Sequence, residues 1–223
     1  MPKRIVGSAL LSLSMVCAFQ SRAEAGSIFF NSLGNPGDVQ LILNGGITLN
    51  ASATGWYRES GTSNEPGGAN YITGLCSNCG AGGLFRDLFI FNVPVGIAVT
   101  SASVRINTYI YDSLNPTETL SLFDVSTNLG SLLAGTGGVA AYTDLGTGVV
   151  YGSRVYTAAD QNLFETFALN AAAVGAIQNS LGSSFAMGGS LDSAAVPEPS
   201  TFALVFGALG LLRARRVAGR RQS

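Results

Sequence analysis

Residues 84–93 carry apolar side chains on both of their faces, Phe89 and Phe91 on one side and Leu88 and Ile90 on the other. Successive side chains of an extended chain point to opposite faces, so this segment needs cover on both sides and reads as a central strand. The rest of the body supplies neighbours. Short apolar runs at 28–33, 39–43 and 47–49 are separated by Gly34-Asn35-Pro36-Gly37 and Gly45-Gly46, which are turn signals. Residues 104–111 alternate Val104, Ile106, Thr108 and Ile110 against Arg105, Asn107, Tyr109 and Tyr111, the period of a strand with one wetter face. Further strands are expected at 119–125, 149–156, 164–169 and 184–187, and Asn170 is placed to cap one short helix over 171–181. Residues 51–83, rich in Gly, Ser and Asn, read as a long polar loop. With 47% hydrophobic residues, 11% charged residues and 29 glycines, the composition fits a folded, turn-rich domain rather than disorder. The expected class is all-β: a single antiparallel β-sandwich over residues 26–193 with one short helix.

The two ends read differently. Residues 1–25 combine a basic start (Lys3, Arg4), an apolar run and small residues spaced as Ala23-Glu24-Ala25, the pattern of a secretory signal helix cleaved after Ala25. Residues 194–223 hold Val196, Pro197, Glu198 and Pro199, then an apolar run over 201–212, then Arg213, Arg215 and Arg216. The prolines hold Glu198 in an extended, accessible segment. The apolar run favours hydrocarbon, and the arginines stay cytoplasmic by the positive-inside rule, which leaves the body facing outward. Twelve helical residues rise about 18 Å against a hydrocarbon core of about 30 Å, so this helix is expected to be a transient membrane anchor.

Basic residues cluster at the ends. Between residues 26 and 195 the chain has no lysine and four arginines against eleven acids, a net charge of −7. Such a body repels nucleic acid.

The tail, with Pro197-Glu198-Pro199, a hydrophobic helix and a terminal arginine cluster, resembles the PEP-CTERM sorting signal of certain Gram-negative bacteria. The resemblance covers residues 196 to about 216. It implies export through the secretion translocon, brief residence in the inner membrane, and processing near the motif by a membrane-embedded exosortase. It also implies a destination at the outer surface or in the extracellular matrix, beside exopolysaccharide. The strings Asn70-Tyr71-Ile72-Thr73-Gly74, 85–94, 117–126 and Tyr151-Gly152-Ser153-Arg154 look like a jelly-roll domain met in other PEP-CTERM proteins, related in shape to carbohydrate-binding modules.

Histidine is absent, which removes Ser-His-Asp and Cys-His arrangements together with the usual zinc ligands. Cys76 and Cys79 have metal-site spacing but no second pair; a disulfide stapling the loop is expected, with a redox role as the other reading. Asp87, Asp112, Glu118, Asp124 and Asp144 are the acids from which a glycosidase pair would have to come, and they read otherwise as a solvated surface. Trp56, Tyr57 and Tyr71 are candidate sugar-stacking rings, or else aromatics that pin the long loop to the body. No catalytic residue, metal ion or cofactor is expected. The function so read is that of a non-catalytic exported surface or matrix protein. A carbohydrate-binding module for exopolysaccharide is the alternative, and a glycosidase a more distant one.

Overall fold

Alternation of the kind just described places the strands of the computed structural model, which describes residues 27–31, 37–64, 70–77 and 79–192. The expected signal segment with Ala23 and Ala25, and the tail with Val196 to Pro199 and its arginines, lie outside the described residues. Twelve strands occur among the described residues: β1 (Ser27–Asn31), β2 (Val39–Leu43), β3 (Ile47–Asn50), β4 (Ala53–Arg58), β5 (Asn70–Cys76) and β6 (Gly83–Asn92). They are followed by β7 (Ala102–Thr108), β8 (Ile110–Asp112), β9 (Glu118–Phe123), β10 (Val150–Tyr156), β11 (Leu163–Ala168) and β12 (Ser184–Leu191). The larger sheet runs β10-β9-β12-β6-β5-β1-β8, with β4 on the other edge of β6, and the smaller runs β11-β7-β2-β3. Every pairing is antiparallel.

The two sheets share one core. Val39, Leu41 and Leu43 of β2, Val104 and Ile106 of β7 and Phe167 of β11 meet Phe89, Phe91, Leu120, Leu122, Phe185 and Met187 from the larger sheet. Each of these side chains contributes about 1.5–3 kcal/mol by leaving water. β6 is central, as its two apolar faces require: β4 pairs along one edge, and β5 and then β12 pair along the other. Its second face is covered by two short helices, α1 (Leu129–Leu133) and α2 (Gly138–Asp144). There Leu88 and Ile90 pack with Tyr57, Leu132, Ala141 and Leu145.

Three expectations are corrected. Residues 51–83 are not one polar loop but hold β4 and β5, whose glycines (Gly55, Gly74) dilute a strand pattern that β6 completes by pairing. Residues 104–111 are not one strand: β7 ends at Thr108 in the smaller sheet, and β8 begins at Ile110 in the larger, paired with β1. The inward phase slips accordingly, so that Thr108 and Tyr111 are both buried. The single expected helix is present as α3 (Ala171–Asn179), with Asn170 Oδ1 accepting from Ala173 N at 3.1 Å. It is joined, however, by α1 and α2, which form because the outer face of β6 needs apolar cover.

Candidate functional site

Two of the three candidate aromatic residues come together. Trp56 of β4 and Tyr71 of β5 line a pocket of 110 Å³ with Asn70, Ile72, Cys79, Phe85 and Ile110. β4 is fixed there by Asn64, whose Oδ1 accepts from Trp56 N (2.8 Å) while its Nδ2 donates to Asn70 O (2.7 Å). Trp56 meets Phe85 edge to face, with ring centroids 5.0 Å apart, and Tyr71 meets Phe89 in the same way at 5.3 Å. Cys76 and Cys79 are bonded to each other across the β5–β6 turn, their Cα atoms 5.5 Å apart, and Cys79 forms part of the pocket wall. This volume is well below the roughly 300–1,000 Å³ of pockets that hold whole small molecules, so it admits a group the size of a side chain.

The burial of these rings limits what they do. Tyr57 is fully buried under α1, its hydroxyl donating to Leu132 O (2.9 Å), so no face of the ring remains for a sugar. Tyr71 is 1% exposed, and its hydroxyl donates to Asn107 O (3.2 Å) across the core. Burial pushes the Tyr71 and Tyr156 hydroxyls well above the ordinary tyrosine range, and nearby Asp38 and Asp87 raise Tyr71 further. Trp56 alone of the three keeps part of its ring exposed.

The carboxylates are mostly engaged locally. Glu118 accepts from Ser113 Oγ (2.5 Å) and Asn115 Nδ2 (2.8 Å), and Asp124 from Val149 N (2.6 Å). Asp144 accepts from Ser126 Oγ (2.6 Å) and Thr127 N (2.8 Å). Despite the cost of its own burial, these bonds hold Asp144 below the usual carboxylate range.

Asp87 is different. It points into the core in phase with Phe89 and Phe91, is fully buried, and neither carboxylate oxygen has a hydrogen-bond partner among the described residues. Room for it comes from Gly189 on β12, where a Cβ would lie 3.2 Å from that of Asp87. Burial pushes this carboxyl well above its ordinary range. Among the described residues no three His, Cys, Asp or Glu side chains gather to hold a metal ion. No described helix is long and apolar enough to cross a membrane.

A second arrangement, not anticipated from the sequence, lies on the outer face of the smaller sheet. Arg105 of β7 lies over the ring of Phe164 of β11, 4.0 Å from its centroid. Its Nη1 donates to Gln40 Oε1 of β2 (3.0 Å), and Gln40 Nε2 donates to Asn50 Oδ1 of β3 (3.1 Å). One residue from each strand thus forms a row across the sheet. The wetter face assigned to 104–111 was its only sequence signal, because the partners lie on strands far along the chain. Compared with known proteins, the chain matches no family model, no curated protein and no solved structure.

Proposed function

We propose that the chain is a non-catalytic exported protein of the cell surface or extracellular matrix, sorted through its C-terminal segment by an exosortase. The observation that carries this reading is the order of that segment: Val196-Pro197-Glu198-Pro199, an apolar run, then Arg213, Arg215 and Arg216. The signal-like residues 1–25 support the same topology, with the secretion translocon as the first partner and the inner membrane as a temporary station. The Cys76–Cys79 disulfide is compatible with an oxidising compartment outside the cytoplasm. In this reading the body is a jelly-roll-like sandwich that serves as structural or adhesive material.

The test is made in cells. Glu198→Ala is expected to leave the protein unprocessed and retained in the membrane fraction, as deletion of the exosortase gene would. Normal processing of Glu198→Ala contradicts the assignment. The second reading, a carbohydrate-binding module for exopolysaccharide, is favoured by the polar row that the smaller sheet presents to solvent.

A further inference from the structure

Leu114 is 83% exposed, the highest value of any large apolar side chain among the described residues. It does not stand on a loose loop. The Tyr111 hydroxyl donates to Asn115 O (2.8 Å), and Asn115 N donates to Ser113 Oγ (3.0 Å). Ser113 Oγ and Asn115 Nδ2 both donate to Glu118 Oε1, at 2.5 and 2.8 Å. Glu118 is 1% exposed and Pro116 has a fixed φ, so the turn between β8 and β9 is pinned on both sides of Leu114. A pinned turn has already lost the backbone freedom that docking would otherwise take from it, and this preorganisation favours binding.

A matching recess is built from the same segment. The 110 Å³ pocket has Ile110 of β8 in its wall, four residues before Leu114, with Trp56, Ile72 and Phe85 as further apolar sides. Among the described residues no charged side chain lines it, so it suits an aliphatic group the size of a side chain. Exposed Asn70 and half-buried Trp56 and Cys79 bring its rim to solvent. Its walls are fixed by the Trp56 and Phe85 ring contact, the two Asn64 bonds and the disulfide. Because β8 is the last strand of the larger sheet, leucine and pocket share a margin that no described strand extends. With both on one margin, a two-fold axis between two copies brings each leucine to the other's pocket, and the contact closes at a dimer.

We propose that this margin is a self-association surface, in which Leu114 of one copy enters the pocket between Trp56 and Ile110 of a second copy and receives that copy's Leu114 in return. The proposal rests on the reading of the body as structural material and names its partner. Two exchanged leucines bury less than the roughly 1,200 Å² of a stable interface, so the dimer is weak and forms where copies are concentrated at a membrane or in a matrix. Each copy carries the same net charge of −7 over residues 26–195, so association is opposed at low salt and strengthens as screening rises.

The test follows sedimentation of the purified full chain in detergent from micromolar to millimolar concentration. A monomer–dimer equilibrium is expected, tighter at higher salt. Leu114→Asp and Trp56→Ala are each expected to weaken it by about tenfold or more, and Leu114→Met, which conserves volume, to keep it. Leu114 is exposed, so its variants are expected to unfold in denaturant at the same midpoint as the parent chain. A chain carrying Leu114→Cys, mixed with one carrying Ile110→Cys, is expected to give a disulfide-linked heterodimer on mild oxidation. A monomer at every concentration overturns the proposal. So does a dimer indifferent to Leu114→Asp, whose contact then lies in the tail or elsewhere, and a ladder of higher oligomers overturns the two-fold exchange. Sorting is read separately, by the processing of Glu198→Ala, and is untouched by every one of these outcomes.

Discussion

The two sheets turn opposite kinds of outer face to their surroundings. Behind β6, the larger sheet carries Leu88, Ile90 and Ala186 under α1 and α2, and Gly188 on β12 has no side chain because the backbone of Leu145 occupies its place. The smaller sheet carries Gln40, Arg105 and Asn50 joined in a row, with Phe164 beneath the arginine. Both faces follow the same strand period, yet one is a second apolar core and the other a polar surface. A sheet face thus acquires its role from what the chain lays over it.

The largest test of this contrast is stability. Leu88→Ala, which opens a cavity beneath the helices, is expected to cost about 2–5 kcal/mol in denaturant unfolding. Ile42→Ala, on the face that no described element covers, is expected to cost less than about 1 kcal/mol. Equal losses would mean that the smaller sheet is covered after all.

An intermediate effect comes from between the sheets. Burial raises the Asp87 carboxyl in the folded state above its unfolded value of about 3.9. Over the window from about pH 4 up to the folded value, the native chain keeps a proton that the unfolded chain releases. The contribution of Asp87 is therefore full below pH 4, and stability falls as pH rises through the window, by about 1.4 kcal/mol per pH unit. Asp87→Asn is expected to flatten this slope and to raise the melting temperature at pH 7, measured by calorimetry at pH 5 and pH 7. An unchanged slope would mean that the carboxyl has found a partner.

The smallest effect sharpens the contrast from the other side. Gln40→Ala is expected to change stability by no more than about 0.5 kcal/mol, since exposed polar contacts contribute little. A larger loss would make the row a structural brace rather than a binding surface.

Much of this architecture was legible residue by residue. β2 falls on its expected run, β6 shows its two apolar faces, and Asn170 caps α3 as its position suggests. β4 and β5 were not legible, because Gly55 and Gly74 leave too few strand residues to be recognised without the β6 edge that pairs with them. Nor was the break at Tyr109, where unbroken alternation continues while the chain changes sheets. Within the candidate sites, Trp56, Tyr57 and Tyr71 read alike as candidate sugar-stacking rings, but the burial of Tyr57 and Tyr71 depends on elements that their own segments do not encode. Arg105 lay on the wetter face of its strand, while the residue that orients it, Gln40, is 65 positions away.

The sequence by itself determined strand period, turn positions, the helix cap and the close pair Cys76 and Cys79. Each of these is an interaction between residues a few positions apart, and local geometry allows few alternatives. Only the tertiary structure decided that Asp87 would lie in the core, that helices would cover one outer face, and that Arg105, Gln40, Asn50 and Phe164 would meet on the other. Burial and charge environment are set by strands remote in the chain, and their meeting depends on how whole sheets pack.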